Sequence, residues 1–226
     1  FKVAAKLKRL KNESKYNFAK KVSYLNTSVD SSLCPRFTAV LIKNVKIGGA
    51  PDWMQKRLES AGVRSINNVV DISNYIMTAL GQPVHTFDYD KIKGHKMILR
   101  ESKKGEKITT LDAKTFTLPG GDIVIEDGRG RLIDLAGVMG GSLSMVDDKT
   151  ENVLLFVQTY DAGHIRKTSM HLAQRTEAAG IFEKGIDPEG VTNGILTGIM
   201  SLTNKYITTR PIIKPSRKLQ NILDKI

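Results

Sequence analysis

The segment from Arg64 to Asp88 carries polar residues where an ordinary core segment would be apolar. It includes an arginine, the Ser73–Asn74 pair and His85. Arginine binds phosphate groups, short polar side chains exchange hydrogen bonds, and an imidazole can move a proton near neutral pH. Pro83 restricts the residue before it to extended backbone, so we expect His85 on a stiff, non-helical segment. This composition predicts part of a binding or catalytic site.

Two later segments have residue types that could complete such a site. Gly140 and Gly141 follow an apolar stretch, and consecutive glycines after a strand let backbone N–H groups face a carbonyl oxygen or a phosphate. A plain tight turn is the alternative, because the Walker lysine and the dinucleotide-binding glycine spacing are both missing. Residues 176–188 form a polar loop that leads into a helix, for which simple helix capping is the alternative. The residues alone therefore predict a pocket lined by His85, the glycine turn and the threonine loop.

Metal and thiol chemistry have little support in the sequence. The four histidines are scattered, and no HxxxH or CxxC spacing occurs, so no metal site is predicted. Cys34 is the single cysteine, which excludes an internal disulfide. It lies beside Pro35 with only Arg36 as a nearby base, so we interpret it as a packed residue and not as a nucleophile.

The elements that position these residues belong to an α+β fold. Short, closely spaced strands separated by turn residues predict hairpins, and hence a central antiparallel sheet or sandwich with helices packed around it. Residues 67–71 are interpreted as a strand end, with Ser73 and Asn74 as helix N-cap types. The other predicted strands are 36–48, 97–102, 107–112, 115–118, 122–127, 132–139 and 152–160, and the predicted helices are 52–61, 74–80, 162–173 and 188–203.

The net charge of +12 is distributed unevenly along the chain. Residues 1–50 contain 11 basic and 2 acidic residues, and residues 204–226 contain 6 and 1, whereas residues 51–203 contain 18 and 20. The basic ends could contact nucleic-acid phosphates, but lysine is also common on exposed helices and linkers. No signal peptide or membrane-spanning stretch is visible, so no membrane association is predicted.

Three motifs together resemble one family. The segments GVRSINNVVDISNYIMTALGQPVHTFDYDKI, LAGVMGG and RTEAAGIFEKGIDP, in this order and spacing, are similar to the B3/B4 module of bacterial phenylalanine–tRNA ligase beta subunits. The resemblance covers residues 31–203. Residues 1–30 are then expected to be the tail of a preceding region, and residues 204–226 a linker and the start of a next domain. On this resemblance the chain is a piece of a longer ligase subunit.

The resemblance implies an editing activity. Such a module binds the aminoacylated 3′ end of phenylalanine tRNA and hydrolyses the ester when the amino acid is tyrosine, because a pocket that accepts phenylalanine excludes tyrosine incompletely. His85 is implied as the catalytic histidine. His85 or a terminal ribose hydroxyl would orient the attacking water, and N–H groups near Gly140 and Gly141 would stabilise the oxyanion.

The resemblance also implies substrate-binding positions. Arg64 would neutralise terminal phosphates, and Ser73 and Asn74 fall on the family's Thr-Asn pair. Thr176 and Ala178 fall on its Thr-x-Ala.

Four positions depart from the family pattern. Phe156 replaces a glutamate that would contact the tyrosine, and a phenyl ring neither accepts a phenol hydrogen bond nor holds an ammonium group. Ser142 replaces a second glutamate, and Ala179 and Ile181 replace a serine and an arginine. Editing is therefore expected to be weakened, altered or absent. The alternatives are an inactive structural or tRNA-contacting scaffold, and a free-standing relative that acts in trans.

The resemblance finally implies the setting of the module. The family enzyme is a cytoplasmic ligase of two alpha and two beta chains that charges phenylalanine tRNA. Its ATP and magnesium sites are expected elsewhere in the complex, and no cofactor is expected within these residues.

Overall fold

The computed structural model of the chain describes residues 22–188 and 190–191, which form three sheets and four helices. Within this part of the chain, no helix has the length and apolar character needed to cross a bilayer. In chain order the elements are β1 (Asn26–Val29), β2 (Arg36–Ile42), α1 (Asp52–Ser60), α2 (Asn68–Leu80), β3 (Val84–Asp88), β4 (Lys96–Glu101), β5 (Lys107–Thr109), β6 (Thr115–Thr117), β7 (Ile123–Asp127), β8 (Leu132–Leu135), β9 (Met139–Gly140), β10 (Val153–Thr159), α3 (Ala162–His171) and α4 (Glu177–Phe182).

The antiparallel three-stranded sheet has the order β2-β10-β3. All seven residues of β10 are buried, because this central strand is covered on both faces. Side chains alternate between the faces of a strand, so Leu154 and Phe156 belong to one apolar cluster while Leu155 and Val157 belong to another. This alternation determines which residues share a face with His85.

The five-stranded sheet has the order β1-β4-β7-β8-β9. Its β1–β4 pair is parallel and its other pairs are antiparallel. The hairpin of β5 and β6 forms a separate two-stranded sheet. The largest apolar cluster joins the two main sheets, since it contains Phe87 and Phe156 from one and Met97, Leu99 and Ile125 from the other. Removing this apolar surface from water is the main force that holds the sheets together.

The α+β prediction with a largely antiparallel sheet is confirmed. The predicted helix 52–61 corresponds to α1, and the predicted helix 162–173 to α3. The predicted strand 132–139 is instead a hairpin, with β8 and β9 separated by a turn in which Gly137 has a φ of +74°. The predicted helix 188–203 lies almost entirely outside the described residues.

The prediction of a strand over residues 67–71 was wrong. Helix α2 begins at Asn68, and the Asn67 side chain caps it by accepting hydrogen bonds from the N–H groups of Val69 and Val70. Asp71 in the first turn accepts from Ser65 Oγ and Ile66 N, which fixes the entry to the helix. The helix ends, as predicted, at Gly81, which has a φ of +67°. A short polar segment before an apolar pair is compatible with a strand or with a capped helix, and the cap decided between them.

His164 links the start of α3 to the end of β4. Its Nδ1 lies 2.7 Å from Asp161 Oδ1 and its Nε2 lies 3.2 Å from Glu101 Oε1. The hydrogen bond to Asp161, followed by that to Glu101, raises the pKa of His164.

A histidine with a raised pKa contributes stability that is complete below its unfolded pKa and is lost as pH rises through its folded pKa. We therefore expect His164→Gln to lower the free energy of unfolding by less than about 1 kcal/mol at pH 6, and by less still at pH 8.5. Urea unfolding at the two pH values measures the difference. An equal loss at both would mean that the charge of His164 does not contribute.

Candidate functional site

His85 lies on β3 directly opposite Phe156 of β10. Opposed residues of an antiparallel pair point to the same face, so the imidazole faces the five-stranded sheet. The ring packs edge-on against Phe87, with the ring centroids 4.4 Å apart. Neither ring nitrogen has a hydrogen-bond partner within the described part of the chain, and the residue is only partly buried. The imidazole is thus free to bind a group from outside.

Although the residue keeps some exposed surface, its ring packs against Phe87 and Gly140, and the resulting desolvation lowers the pKa of His85 to about 4. Its ordinary value is near 6.5, so the ring is neutral throughout the physiological range. A neutral imidazole has one N–H donor and one acceptor nitrogen. His85 is therefore suited to orienting a water molecule and not to attracting an anion.

Gly140 lies against the His85 ring. A Cβ built on Gly140 would be 2.9 Å from His85 Nε2, closer still to Cε1, and 2.9 Å from Leu111 Cδ1. Real Cβ atoms do not approach other atoms so closely, so the imidazole occupies its position only because residue 140 has no side chain. The predicted association of His85 with the glycine turn is therefore present as a direct contact.

The two glycines differ in their hydrogen bonds. The Gly141 N–H donates to Ile133 O at 3.1 Å, and a Cβ on Gly141 would lie 2.5 Å from that oxygen. The prediction that Gly141 contributes an oxyanion donor is thus wrong, because its N–H is already used in the sheet. In an antiparallel ladder, hydrogen-bonded pairs alternate with non-hydrogen-bonded pairs. Because Ile133 and Gly141 are hydrogen-bonded, the neighbouring pair of Asp134 and Gly140 is not. The Gly140 N–H therefore points away from β8, to the side on which Leu111 N donates to Gly140 O.

Thr176 connects the third predicted segment to the glycine turn. Its Oγ1 donates to Val138 O at 2.8 Å and accepts from Ala179 N at 3.1 Å, which caps α4. Ala178 packs against the largest apolar cluster. Thr176 thus caps α4, and its hydrogen bond to Val138 connects α4 to the turn before Gly140.

Phe156, predicted to contact the substrate, has no exposed surface. Its ring centroid lies 4.7 Å from that of Phe37 and 5.8 Å from that of Phe87. These contacts give Phe156 a packing role in the core, and its predicted contact with the substrate stays a prediction. The ring fills space beside His85 that a smaller or polar residue would leave open.

The other three predicted residues have no hydrogen bond, ion pair or ring contact with His85 among the described residues. Arg64 is exposed in the connection between α1 and α2 and forms no ion pair there. Ser73 is buried and donates its hydroxyl hydrogen to Val70 O, and Asn74 is partly buried. Through Val69, α2 packs on the face of the three-stranded sheet opposite to His85. A single cavity that includes these three residues stays a prediction.

Comparison with known proteins assigns the chain to a family. Residues 33–204 match the sequence profile of the B3/4 domain. The chain belongs to the B3/4 domain family.

The chain is also similar to several phenylalanine–tRNA ligase beta subunits. The chain is 44% identical to the beta subunit of Protochlamydia amoebophila over 155 residues. This match covers 69% of the chain and 19% of the relative. It is 39% identical to the beta subunit of Bacillus cereus strain ZK / E33L over 216 residues. This match covers 88% of the chain and 27% of the relative. A crystal structure of an N-terminal fragment of the phenylalanyl-tRNA synthetase beta-subunit from Pyrococcus horikoshii overlaps 71% of this chain and 51% of its own, with a TM-score of 0.47 and 15% identity. The chain thus spans about a quarter or less of the curated relatives' length.

A separate cleft of about 410 Å³ is lined by residues in and next to β5 and β8 and by Ser142 and Leu143. Its lining includes Lys107, Arg131 and Ser142 but none of the predicted site residues. Within residues 22–188 and 190–191, no group of three or more His, Cys, Asp or Glu side chains could hold a metal ion. The Cys34 thiol is buried, which raises its pKa to about 12 and excludes a thiolate nucleophile.

The sequence interpretation missed one charged residue of this domain, Asp134. It occupies the third position of the apolar run LIDLAGV and is opposite Gly140 in the β8–β9 hairpin. A carboxyl group inside an otherwise apolar strand was the signal that could have identified it.

Proposed function

We propose that the chain is the B3/4 part of a phenylalanine–tRNA ligase beta subunit, and that the site around His85 and Gly140 hydrolyses tyrosine esterified to the 3′ end of phenylalanine tRNA. The observation that carries this proposal is the direct contact between an unpartnered, neutral imidazole and a glycine whose missing side chain makes room for it. The similarity to phenylalanine–tRNA ligase beta subunits supports phenylalanine tRNA as the RNA part of the substrate.

The proposed chemistry needs no protein nucleophile. His85 orients a water molecule that attacks the ester carbonyl, with a terminal ribose hydroxyl as the alternative group for this step. The Gly140 N–H donates to the oxyanion that forms. The C–O bond to the ribose then breaks, the ribose oxygen takes up a proton, and free tyrosine and deacylated tRNA result. Arg64, which is exposed and unpaired among the described residues, is proposed to bind a phosphate of the RNA end, near Asn74 and Ser73.

The burial of Phe156 favours a second candidate function. If the phenyl ring closes the amino-acid pocket, the module is an inactive scaffold that contacts tRNA without hydrolysing the ester. The two candidates share the fold and differ only in whether the space beside His85 accepts an amino acid.

The remaining expectations concern the whole enzyme. We propose that the chain acts in a cytoplasmic complex of two alpha and two beta subunits that charges phenylalanine tRNA. ATP and magnesium would act at sites outside these residues. A free-standing protein that acts in trans is the alternative assembly.

The test is deacylation of tyrosyl-tRNA(Phe) by the full-length protein in its native assembly. We expect His85→Ala to lower the rate tenfold or more, because the water loses its orienting group. His171→Ala removes an exposed histidine from the last turn of α3 and serves as the matched control. Because the pKa of His85 is near 4, the wild-type rate should not fall as pH decreases from 7.5 to 5.5.

Two results would count against the editing proposal in different ways. An unchanged rate in His85→Ala would remove His85 from the mechanism. No tyrosine release by the wild-type protein would favour the scaffold function.

A further inference from the structure

Asp134 is unusual among the buried aspartates of the described residues. Four of these five carboxyl groups have hydrogen-bonding partners. Asp71 accepts from Ser65 and Ile66, Asp88 from Thr150 and Asp90, Asp122 from Ser102 and Thr168, and Asp127 from Lys93, Arg129 and Arg131. Asp134 has none, although only 3% of its surface is exposed. A buried polar group without a partner costs stability, so its presence points to a role outside packing.

The sheet register places Asp134 beside the candidate site. It is directly opposite Gly140, so its side chain is on the face of β8 and β9 from which the missing Gly140 Cβ would project. Opposed Cβ atoms are about 5 Å apart. A Cβ on Gly140 would be 2.9 Å from His85 Nε2. Adding the spacing of about 5 Å between opposed Cβ atoms puts the Asp134 Cβ at most roughly 8 Å from that nitrogen.

Three more buried polar groups lie at the end of β10 and just beyond it, on Gln158, Thr159 and Tyr160. Gln158 Oε1 has no hydrogen bond in the described structure, and the Gln158 side chain is close enough to Tyr160 OH to influence its pKa. By strand alternation, Gln158 is on the face that carries Phe156. Tyr160 lies under the glycine turn, since a Cβ on Gly137 would be 2.8 Å from its ring. Burial, and after it the nearby Asp134 carboxyl group, raise the pKa of Tyr160, so these two groups are neighbours.

We propose that Asp134 is a specificity-determining residue, whose carboxyl group hydrogen-bonds the phenol hydroxyl of a tyrosyl ester bound beside His85. This inference rests on the proposed function and assigns to β8 the polar contact that Phe156 cannot make from β10. Gln158 and Tyr160 supply the neighbouring acceptor and donor.

The raised pKa of Asp134 fits this role, because it favours the protonated carboxyl. Burial raises the pKa of the Asp134 carboxyl well above its ordinary range. A protonated carboxyl both donates and accepts, so it pairs with a phenol hydroxyl in either sense. A phenylalanyl ester offers no such partner and leaves the buried group unsatisfied, which disfavours its binding.

The experiment compares deacylation of tyrosyl-tRNA(Phe) and phenylalanyl-tRNA(Phe) by the full-length protein in its native assembly. The wild-type protein should prefer the tyrosyl ester. Asp134→Leu should lower that preference tenfold or more, because the tyrosyl ester loses a hydrogen bond and the phenylalanyl ester no longer leaves a buried carboxyl group unsatisfied. Asp134→Asn, which still donates and accepts, should retain most of the preference. Asp148→Leu changes an exposed aspartate and is the matched control.

The pH dependence adds a readout that does not depend on the leucine variant folding. The side chain of Asp134→Asn cannot ionise, so the wild-type preference should change with pH while that of Asp134→Asn stays level. Preference retained in a folded Asp134→Leu, or parallel pH profiles for wild type and Asp134→Asn, would overturn the role of Asp134 with the editing proposal intact. Absence of hydrolysis of either ester by the wild-type protein would overturn both.

Discussion

Replacing Gly140 with alanine is expected to lower the free energy of unfolding by about 1–3 kcal/mol, the usual cost of forcing an extra group into a packed interior. The added Cβ would lie 2.9 Å from both His85 Nε2 and Leu111 Cδ1 and closer still to His85 Cε1. The His85 ring on β3 packs against Phe87, so it has little freedom to move away from the added methyl group. In the proposed reaction the same displacement misplaces His85, and we expect the deacylation rate to fall about a hundredfold.

Gly48→Ala is the matched control for this substitution. A Cβ on Gly48 would meet no atom within 4 Å. Urea unfolding of the two variants separates a local collision from a general effect of removing glycine. A Gly140→Ala variant as stable as Gly48→Ala would show that the imidazole does not occupy the place described here.

The parts of the site that the sequence predicted are those with a local signature. Glycines after an apolar run, a histidine behind a Gln-Pro pair and a threonine before a short helix each limit the backbone nearby. The structure brings His85 into contact with Gly140, and Thr176 into contact with the turn that precedes Gly140. Each of these residues was recognisable before any strand pairing was known.

The parts that the sequence did not predict depend on which residues are opposed across strands. Asp134 is significant because it is opposite Gly140, and Phe156 because it is opposite His85. A shift of the register by one residue would move either side chain to the other face. The residue pattern within a single strand does not show which residues of the neighbouring strand will be opposite. The same limitation explains the error at Gly141, whose N–H is used by a strand that the local sequence does not identify.

Phe156→Glu is expected to destabilise the protein strongly and not to restore editing. Phe156 has no exposed surface, and its neighbours across the strands are Ala39 and His85. Glutamate there would lose the contacts with the Phe37 and Phe87 rings and would bury a carboxyl group whose basic neighbour, His85, is kept neutral by burial. Loss of a buried phenyl group alone costs about 3–5 kcal/mol. A decrease of that size approaches the total stability of an ordinary domain.

The measurement is urea unfolding of Phe156→Glu beside Phe156→Leu, which keeps an apolar side chain and should lose about half as much or less. If the glutamate variant were nearly as stable as the leucine variant, a carboxylate at position 156 would have to reach water or a partner. The space between β10 and β9 would then be an open pocket, as editing requires. If it unfolds as expected, Phe156 is part of the core that holds the two sheets together. The contact with a tyrosyl ester must then come from another strand, and β8, with Asp134 opposite Gly140, is the strand in position to provide it.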